Sequence, residues 1–201
     1  MPAHLCKGDA NNKVAFILSA PGKLEGEAEC PAAGDTGDNM DAILTLLNQS
    51  DPIHFRSVDR YQYLITNAST KVMHAKNGDK RTEDGDFNIK ETKNVNRVRA
   101  EVERCTIIIL CGRKAGLLAP YLSEKILIRT SHLGNKGLRN KFRNLAPSLQ
   151  GIATGEERDA ARIKLCADEI SEQLRTLLAG TARGARKVTQ FDAFNLNKVP
   201  R

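Results

Sequence analysis

Six side chains in this sequence pair reactive chemistry with positions that could use it. His132, in Ser131-His132-Leu133-Gly134, titrates near neutrality and can donate or accept a proton. Asn67, in Thr66-Asn67-Ala68, carries a donor and an acceptor on one planar amide. Ser19 offers a hydroxyl. Glu25, Asp35 and Asp38 offer carboxylates able to orient a water, although Asp35 and Asp38 equally suit turns and helix caps. The cysteines, at 6, 30, 105, 111 and 166, contain no Cys-x-x-Cys pair, so neither a disulfide framework nor a zinc or iron–sulfur site is expected. Cys105 and Cys111 read as core residues flanking a buried strand, and no cofactor is expected.

A second group of residues is basic. The net charge of +7 and a pI near 9.3 would raise the local concentration of a polyanion such as nucleic acid. Lys136, Arg139, Lys141 and Arg143 crowd one Gly/Asn-rich stretch that reads as a loop, and Arg183, Arg186, Lys187, Lys198 and Arg201 lie in the tail. A solvated loop and a loose end would look the same.

Elements that could position these residues follow from the hydropathy pattern. Lys13 to Ser19 is a short apolar run ending in Ala20-Pro21-Gly22, as a buried strand meets a loop. Met40, Ile43, Leu44 and Leu47 have helical spacing, with Asp38 a plausible N-cap. Tyr61 to Asn67 reads as a second strand, and His74 to Lys90 is polar enough for an exposed loop. Val95, Val98 and Val102 mark a helix that leads into Thr106 to Cys111, the most apolar run and the best candidate for a central parallel strand. A short helix over Ala115 to Leu122 precedes a fourth strand, Lys125 to Thr130, and a helix from about Glu156 to Leu178 closes the domain. The expected fold is α/β: a three-layer sandwich with a mainly parallel sheet of about four strands. One domain over 1–180 and a basic tail over 181–201 are expected, with a flexible linker at Gly180 to Lys187. Ligands of such sheets bind beyond the carboxyl ends of the strands, where Ser19 to Gly22, Asn67 and Ser131 to Gly134 fall.

Ala20-Pro21-Gly22, Glu25, Pro31, Gly34, Gly37 and the helix near Met40 resemble the first motif of the bacterial and archaeal branches of the uracil-DNA glycosylase superfamily. Thr66-Asn67-Ala68 resembles its strand end with a base-reading Asn. Ile107 to Leu118 resembles its central strand, and Ser131 to Gly134 sits where its His-Pro-Ser loop would be. The resemblance spans about residues 13 to 178. It implies a monofunctional enzyme that flips a base from single- or double-stranded DNA and hydrolyses its N-glycosidic bond, with His132 hydrogen-bonded to the leaving base.

Two departures alter that expectation. Ser19 replaces the acidic or amide residue that precedes Ala-Pro-Gly, leaving Glu25, Asp35 or Asp38 to orient the water. Ala32 replaces the aromatic residue that stacks on the flipped base, which implies a pocket lined by Ala20, Pro21, Gly22, Ala32 and Asn67 and roomy enough for a bulky pyrimidine. Some members of the superfamily remove glucosylated cytosines from phage DNA in antiviral defence, and a widened pocket would fit that branch. A deaminated-base repair enzyme and a catalytically weak DNA-binding relative are the alternatives. Leu138 could fill the vacated stack while Lys136, Arg139, Lys141 and Arg143 hold phosphates; packing of Leu138 on its own domain is the competing expectation. With neither Gly-x-Gly-x-x-Gly nor a Gly-Lys-Ser/Thr phosphate loop, nucleotide binding is disfavoured. A soluble, cytoplasmic monomer with no membrane segment is expected.

Overall fold

The most apolar runs become strands, because β-branched and aromatic residues buried on two faces favour extended backbone. The computed structural model describes residues 2–74, 82–143 and 154–195, with backbone alone from 181 onward. Its strands are β1 (Leu5–Cys6), β2 (Val14–Leu18), β3 (Leu64–Asn67), β4 (Ile107–Cys111) and β5 (Ile126–Thr130), in the sheet order β1-β3-β2-β4-β5. β2 to β5 are parallel, with Leu18 opposite Asn67 and Cys111 opposite Thr130, and β1 runs antiparallel to β3. The four anticipated strands are joined by β1. Two residues show no periodicity, so this fifth strand was invisible to pattern reading.

Helices α1 (Lys23–Ala28), α2 (Asp35–Ser50), α3 (Asp86–Lys90), α4 (Thr92–Glu101), α5 (Arg113–Gly116), α6 (Asn135–Lys141) and α7 (Gly155–Asn195) complete the described chain. Alternation along the strands divides the core in two. Val14, Phe16, Leu18, Ile107 and Ile109 pack with Met40, Ile43 and Leu47 of α2, Leu138 of α6 and Ile170 and Leu174 of α7. Ala15, Ile17, Ile108 and Leu110 face Ile89, Val95, Val98 and Ala115 of α3, α4 and α5. The fold is thus the expected three-layer α/β arrangement.

Several expectations are corrected. Helix α2 begins at Asp35 with Gly34 at its cap, so Asp38 sits inside the first turn and does not cap it. The polar segment before Lys90 folds into α3 over its last residues, because Ile89 buries against the sheet layer. The basic stretch after Gly134 is helix α6 and not a loop. No linker opens at Gly180: α7 continues to Asn195. A glycine costs a helix only about 1 kcal/mol against alanine, and the Ala, Arg, Lys and Gln residues around Gly180 and Gly184 favour helix. Arg183, Arg186 and Lys187 fall in the backbone-only part of α7; Lys198 and Arg201 lie outside the described residues.

The outer strands of the sheet are β1 and β5. β1 pairs with β3 through Leu5 with Thr66 and Cys6 with Ile65. On the β5 side, the Arg129 N–H donates to Gln173 Oε1 of α7 at 3.1 Å, and Gln173 Nε2 donates to the Arg129 carbonyl at 2.8 Å. Among the described residues no helix is long and apolar enough to cross a membrane.

Candidate functional site

Parallel strands deliver their carboxyl ends to one edge of the sheet, and three of those ends here carry polar side chains that burial isolates. The Ser19 hydroxyl after β2, the Ser131 hydroxyl after β5 and both amide atoms of Asn67, the last residue of β3, are buried without a protein partner. Asn67 is 1% exposed. An unpaired buried polar group costs about 1–3 kcal/mol, so an amide with both ends unpaired is a feature that packing alone does not account for.

His132 lies two residues past β5. The Gly134 N–H donates to its Nδ1 at 3.0 Å, which makes Nδ1 the acceptor and leaves the proton of the neutral ring on Nε2. Burial lowers its pKa below the ordinary imidazole value, against the opposing pull of Glu83 and Glu25. Neutral His132 is therefore a hydrogen-bond donor through Nε2.

Glycines hold this ring in place. A Cβ on Gly112, at the end of β4, would lie 3.4 Å from His132 Cβ; one on Gly134 would lie 3.1 Å from His132 Nδ1; one on Gly137 would lie 2.7 Å from His132 Cβ. Gly112 has φ +91°, where a side chain would be strained in any case. From the opposite side, α2 braces the loop through Asn39 Nδ2, which donates to the Leu133 carbonyl at 2.7 Å and to Asn135 Oδ1 at 2.9 Å.

The contact with Gly112 sets His132 over the end of β4, two strands from β3. No known family and no curated protein matches the chain.

The remaining expected residues divide. Ala20 is half-buried and Pro21 buried, and the Pro21 carbonyl accepts from the Met73 N–H at 2.7 Å, tying the segment after Asn67 to the loop after β2. Glu25 Oε2 accepts the Gly22 N–H at 3.0 Å and so closes the first turn of α1, and its field reaches His132. Asp35 is exposed and accepts from Asn135 Nδ2 at 3.0 Å, serving as a brace between α2 and α6; Asp38 is exposed. Ala32 is corrected: it is 0% exposed, adopts φ 55° and packs in the core, so its small side chain opens no space to a ligand.

The expected DNA-contacting set is also revised. Leu138 is 3% exposed and belongs to the core beside Phe142, its neighbour one helical turn away, so it is not a free wedge. Arg139 holds Asp159 with Nε at 3.2 Å and Nη2 at 2.5 Å, and Lys141 Nζ lies 2.9 Å from Glu169 Oε1, which fastens α6 to α7. Arg143 donates to Asn140 Oδ1 at 3.2 Å. Lys136 is exposed with no ion pair among the described residues. Arg139 and Lys141 are themselves about half exposed, so their cations remain accessible to phosphate oxygens from the solvent side.

Sequence reasoning passed over the Ser131 hydroxyl, although it stands in the quoted loop, and over His74, whose Nδ1 is buried without a partner. It also passed over Asp84, which receives Ser69 Oγ at 2.7 Å, Asn88 Nδ2 at 2.7 Å and the Gly85 N–H at 2.8 Å. Desolvation would raise the Asp84 pKa, but these donors outweigh it and hold the carboxyl below the usual range. Beside them a cavity of about 380 Å³ is lined by Ser69, Lys71, Asp84, Lys93 and Arg97. Among the described residues no group of three or more His, Cys, Asp or Glu side chains is placed to hold a metal.

Proposed function

We propose that this protein is a monofunctional DNA glycosylase that receives a flipped base at the carboxyl edge of its sheet. The observation that carries the reading is the buried, unpartnered amide of Asn67 at the carboxyl end of β3, on the same edge of the sheet as the loop that holds a histidine fixed as an Nε2–H donor. Such an amide can satisfy a donor and an acceptor of a Watson–Crick edge at once, and it regains on binding what burial cost it. His132 then donates to a ring carbonyl of the base. As the bond from the sugar C1′ to the base nitrogen breaks, the electron pair leaves with the base and the sugar becomes cationic. The His132 hydrogen bond strengthens as that negative charge grows, which lowers the barrier. Water adds to C1′ and gives up a proton, which the departing base anion takes up through solvent, leaving an abasic site and the free neutral base. Glu25, with Glu83, is a carboxylate whose field reaches His132, and its charge would favour the sugar cation.

A second reading, a DNA-binding relative with weak turnover, is favoured by one observation: Ser19 stands where a water-holding carboxylate would, and Glu25 and Asp35 are engaged in local bonds. One assay separates the two. Labelled DNAs carrying uracil, hypoxanthine, hydroxymethylcytosine or glucosylated hydroxymethylcytosine are incubated with the protein and then treated with alkali. Alkali-dependent cleavage of one substrate, lost in His132→Ala, supports the glycosylase and names its base. DNA binding with no cleavage across the panel supports the second reading. With Ala32 inside the core, selection of the glucosylated base would need an opening other than the one expected there.

A further inference from the structure

We propose that Arg97 is a positioning residue for Asn67, fixing its backbone so that the buried amide meets a base in one orientation and discriminates between bases. The inference rests on the glycosylase reading for its consequence, and on the geometry alone for the clamp.

Arg97, on α4, is directed at the end of β3. Its Nη2 donates to the Asn67 carbonyl at 2.9 Å and lies 3.4 Å from the Ala68 carbonyl. Its Nη1 donates to Glu101 Oε2 at 2.7 Å, and that same carboxylate oxygen accepts from Thr66 Oγ1 at 2.6 Å. Asn94 Oδ1 accepts from Arg97 Nη2 at 2.9 Å and Nε at 3.2 Å, while Asn94 Nδ2 donates to the Ala68 carbonyl at 2.8 Å. The fork is thus held at both prongs, as the rigid guanidinium allows and a single ammonium does not.

The other side of the residue is held by the chain's first segment. The Asn67 N–H donates to the His4 carbonyl at 3.0 Å, and His4 Nε2 lies 3.6 Å from Glu101 Oε1. The Ala68 N–H donates to the Leu18 carbonyl at 2.8 Å. The peptide after Asn67 is therefore bonded on both sides, at its carbonyl by Arg97 and at the Ala68 N–H by Leu18, and the peptide before it is bonded through the Asn67 N–H. A residue has two soft backbone torsions, and both are fixed here, so the direction of the Cα–Cβ bond is set. The side chain beyond that bond is the part with no protein partner. Rigid support around a group left free to bind is the arrangement that preorganised recognition requires.

A purely structural rivet between α4 and the sheet would use the same bonds, so the test reads the amide and not only stability. Arg97→Met removes the fork. Arg97→Lys keeps a charge beside Glu101, protecting the fold, but loses the second prong. In ¹H–¹⁵N spectra the Asn67 side-chain NH₂ pair, assigned by its loss in Asn67→Ala, is expected to be single and sharp in the wild type and doubled or broadened in Arg97→Lys. On the base that the wild type excises, Arg97→Lys and Arg97→Met are expected to lose about tenfold or more in kcat, a cost within reach of sub-ångström misplacement. The ratio of rates between that base and its nearest competitor is expected to narrow. An unchanged NH₂ pair, or lowered stability with the ratio of rates intact, overturns the proposal and leaves Arg97 a rivet. If the wild type excises no base, the glycosylase reading fails, and the NH₂ pair still decides whether Arg97 holds Asn67.

Discussion

Substituting Gly137 by alanine tests whether His132 must stand where the loop puts it. The new Cβ would lie 2.7 Å from His132 Cβ and 2.8 Å from its carbonyl carbon. Comfortable carbon–carbon contact begins near 3.5 Å, and the His132 carbonyl oxygen stands closer still to the new Cβ, so His132 and α6 must part by at least about 0.8 Å. Neither neighbour yields easily. The atoms in conflict include backbone, α6 is seated by Leu138 and Phe142 in the core, and His132 is already close to Gly112 and Gly134. A displacement approaching 1 Å at a catalytic group costs up to about 10²-fold in rate, or about 2.7 kcal/mol of barrier at 1.36 kcal/mol per decade. Overpacking of this kind also removes about 1–3 kcal/mol of stability, or about 2–12 °C in Tm for a chain of this size. Helix propensity pulls the other way, favouring alanine by about 1 kcal/mol, so a net loss is the mark of the clash. Single-turnover cleavage of the preferred base and a thermal melt are the measurements. A Gly137→Ala protein with wild-type rate and unreduced Tm would refute both the contact and the need for it.

Three further outcomes follow from other contacts. His132 has a folded pKa below its unfolded value, so the unfolded chain binds the proton more readily; stability is expected to fall as pH drops through about 6.5 and to level off below the folded pKa. Urea midpoints between pH 7.5 and 5.5 should show this slope, reduced but not abolished in His132→Asn because burial also lowers His4; an identical slope in the variant would sink the assignment. Leu138→Ala is expected to cost about 2–5 kcal/mol as a core cavity, while the salt dependence of DNA binding stays as in the wild type; a change in binding with unaltered stability would restore Leu138 to the DNA side. Gly180→Ala, with nothing within 4 Å of the new Cβ, is expected to stabilise α7 by about 0.5–1 kcal/mol, and a lower Tm would contradict an unbroken helix there.

The fold was legible where burial leaves a pattern. Four apolar runs marked β2 to β5, and strands alternating with helical stripes marked the layers, because a buried parallel strand must be apolar on both faces. What stayed hidden depends on partners distant in the chain. β1 exists by pairing with Thr66 and Ile65. Helix α6 exists because Leu138 and Phe142 find a core to enter; their spacing of four was visible, but the surrounding glycines and cations suggested a loop. At the site, Asn67 and His132 come to one edge, since parallel strands share their carboxyl ends. Ala32 does not join them: its direction is set by a left-handed turn that the residue type does not reveal. Arg97 carried no signal as a lone charge on a helix, because its role lies in its aim.

The outer strands of the sheet bear on how the protein behaves in a crowded solution. An open margin offers a row of unused N–H and C=O groups, and a second molecule can dock there as one more strand, starting self-association. Here the outer strand on one side is only two residues long, and on the other a single glutamine occupies both backbone groups of Arg129. A further strand would find only two residues to pair with on the β1 side and would have to displace Gln173 from Arg129 on the β5 side, so resistance to edge-to-edge stacking rests on a few local features and not on the stability of the whole domain.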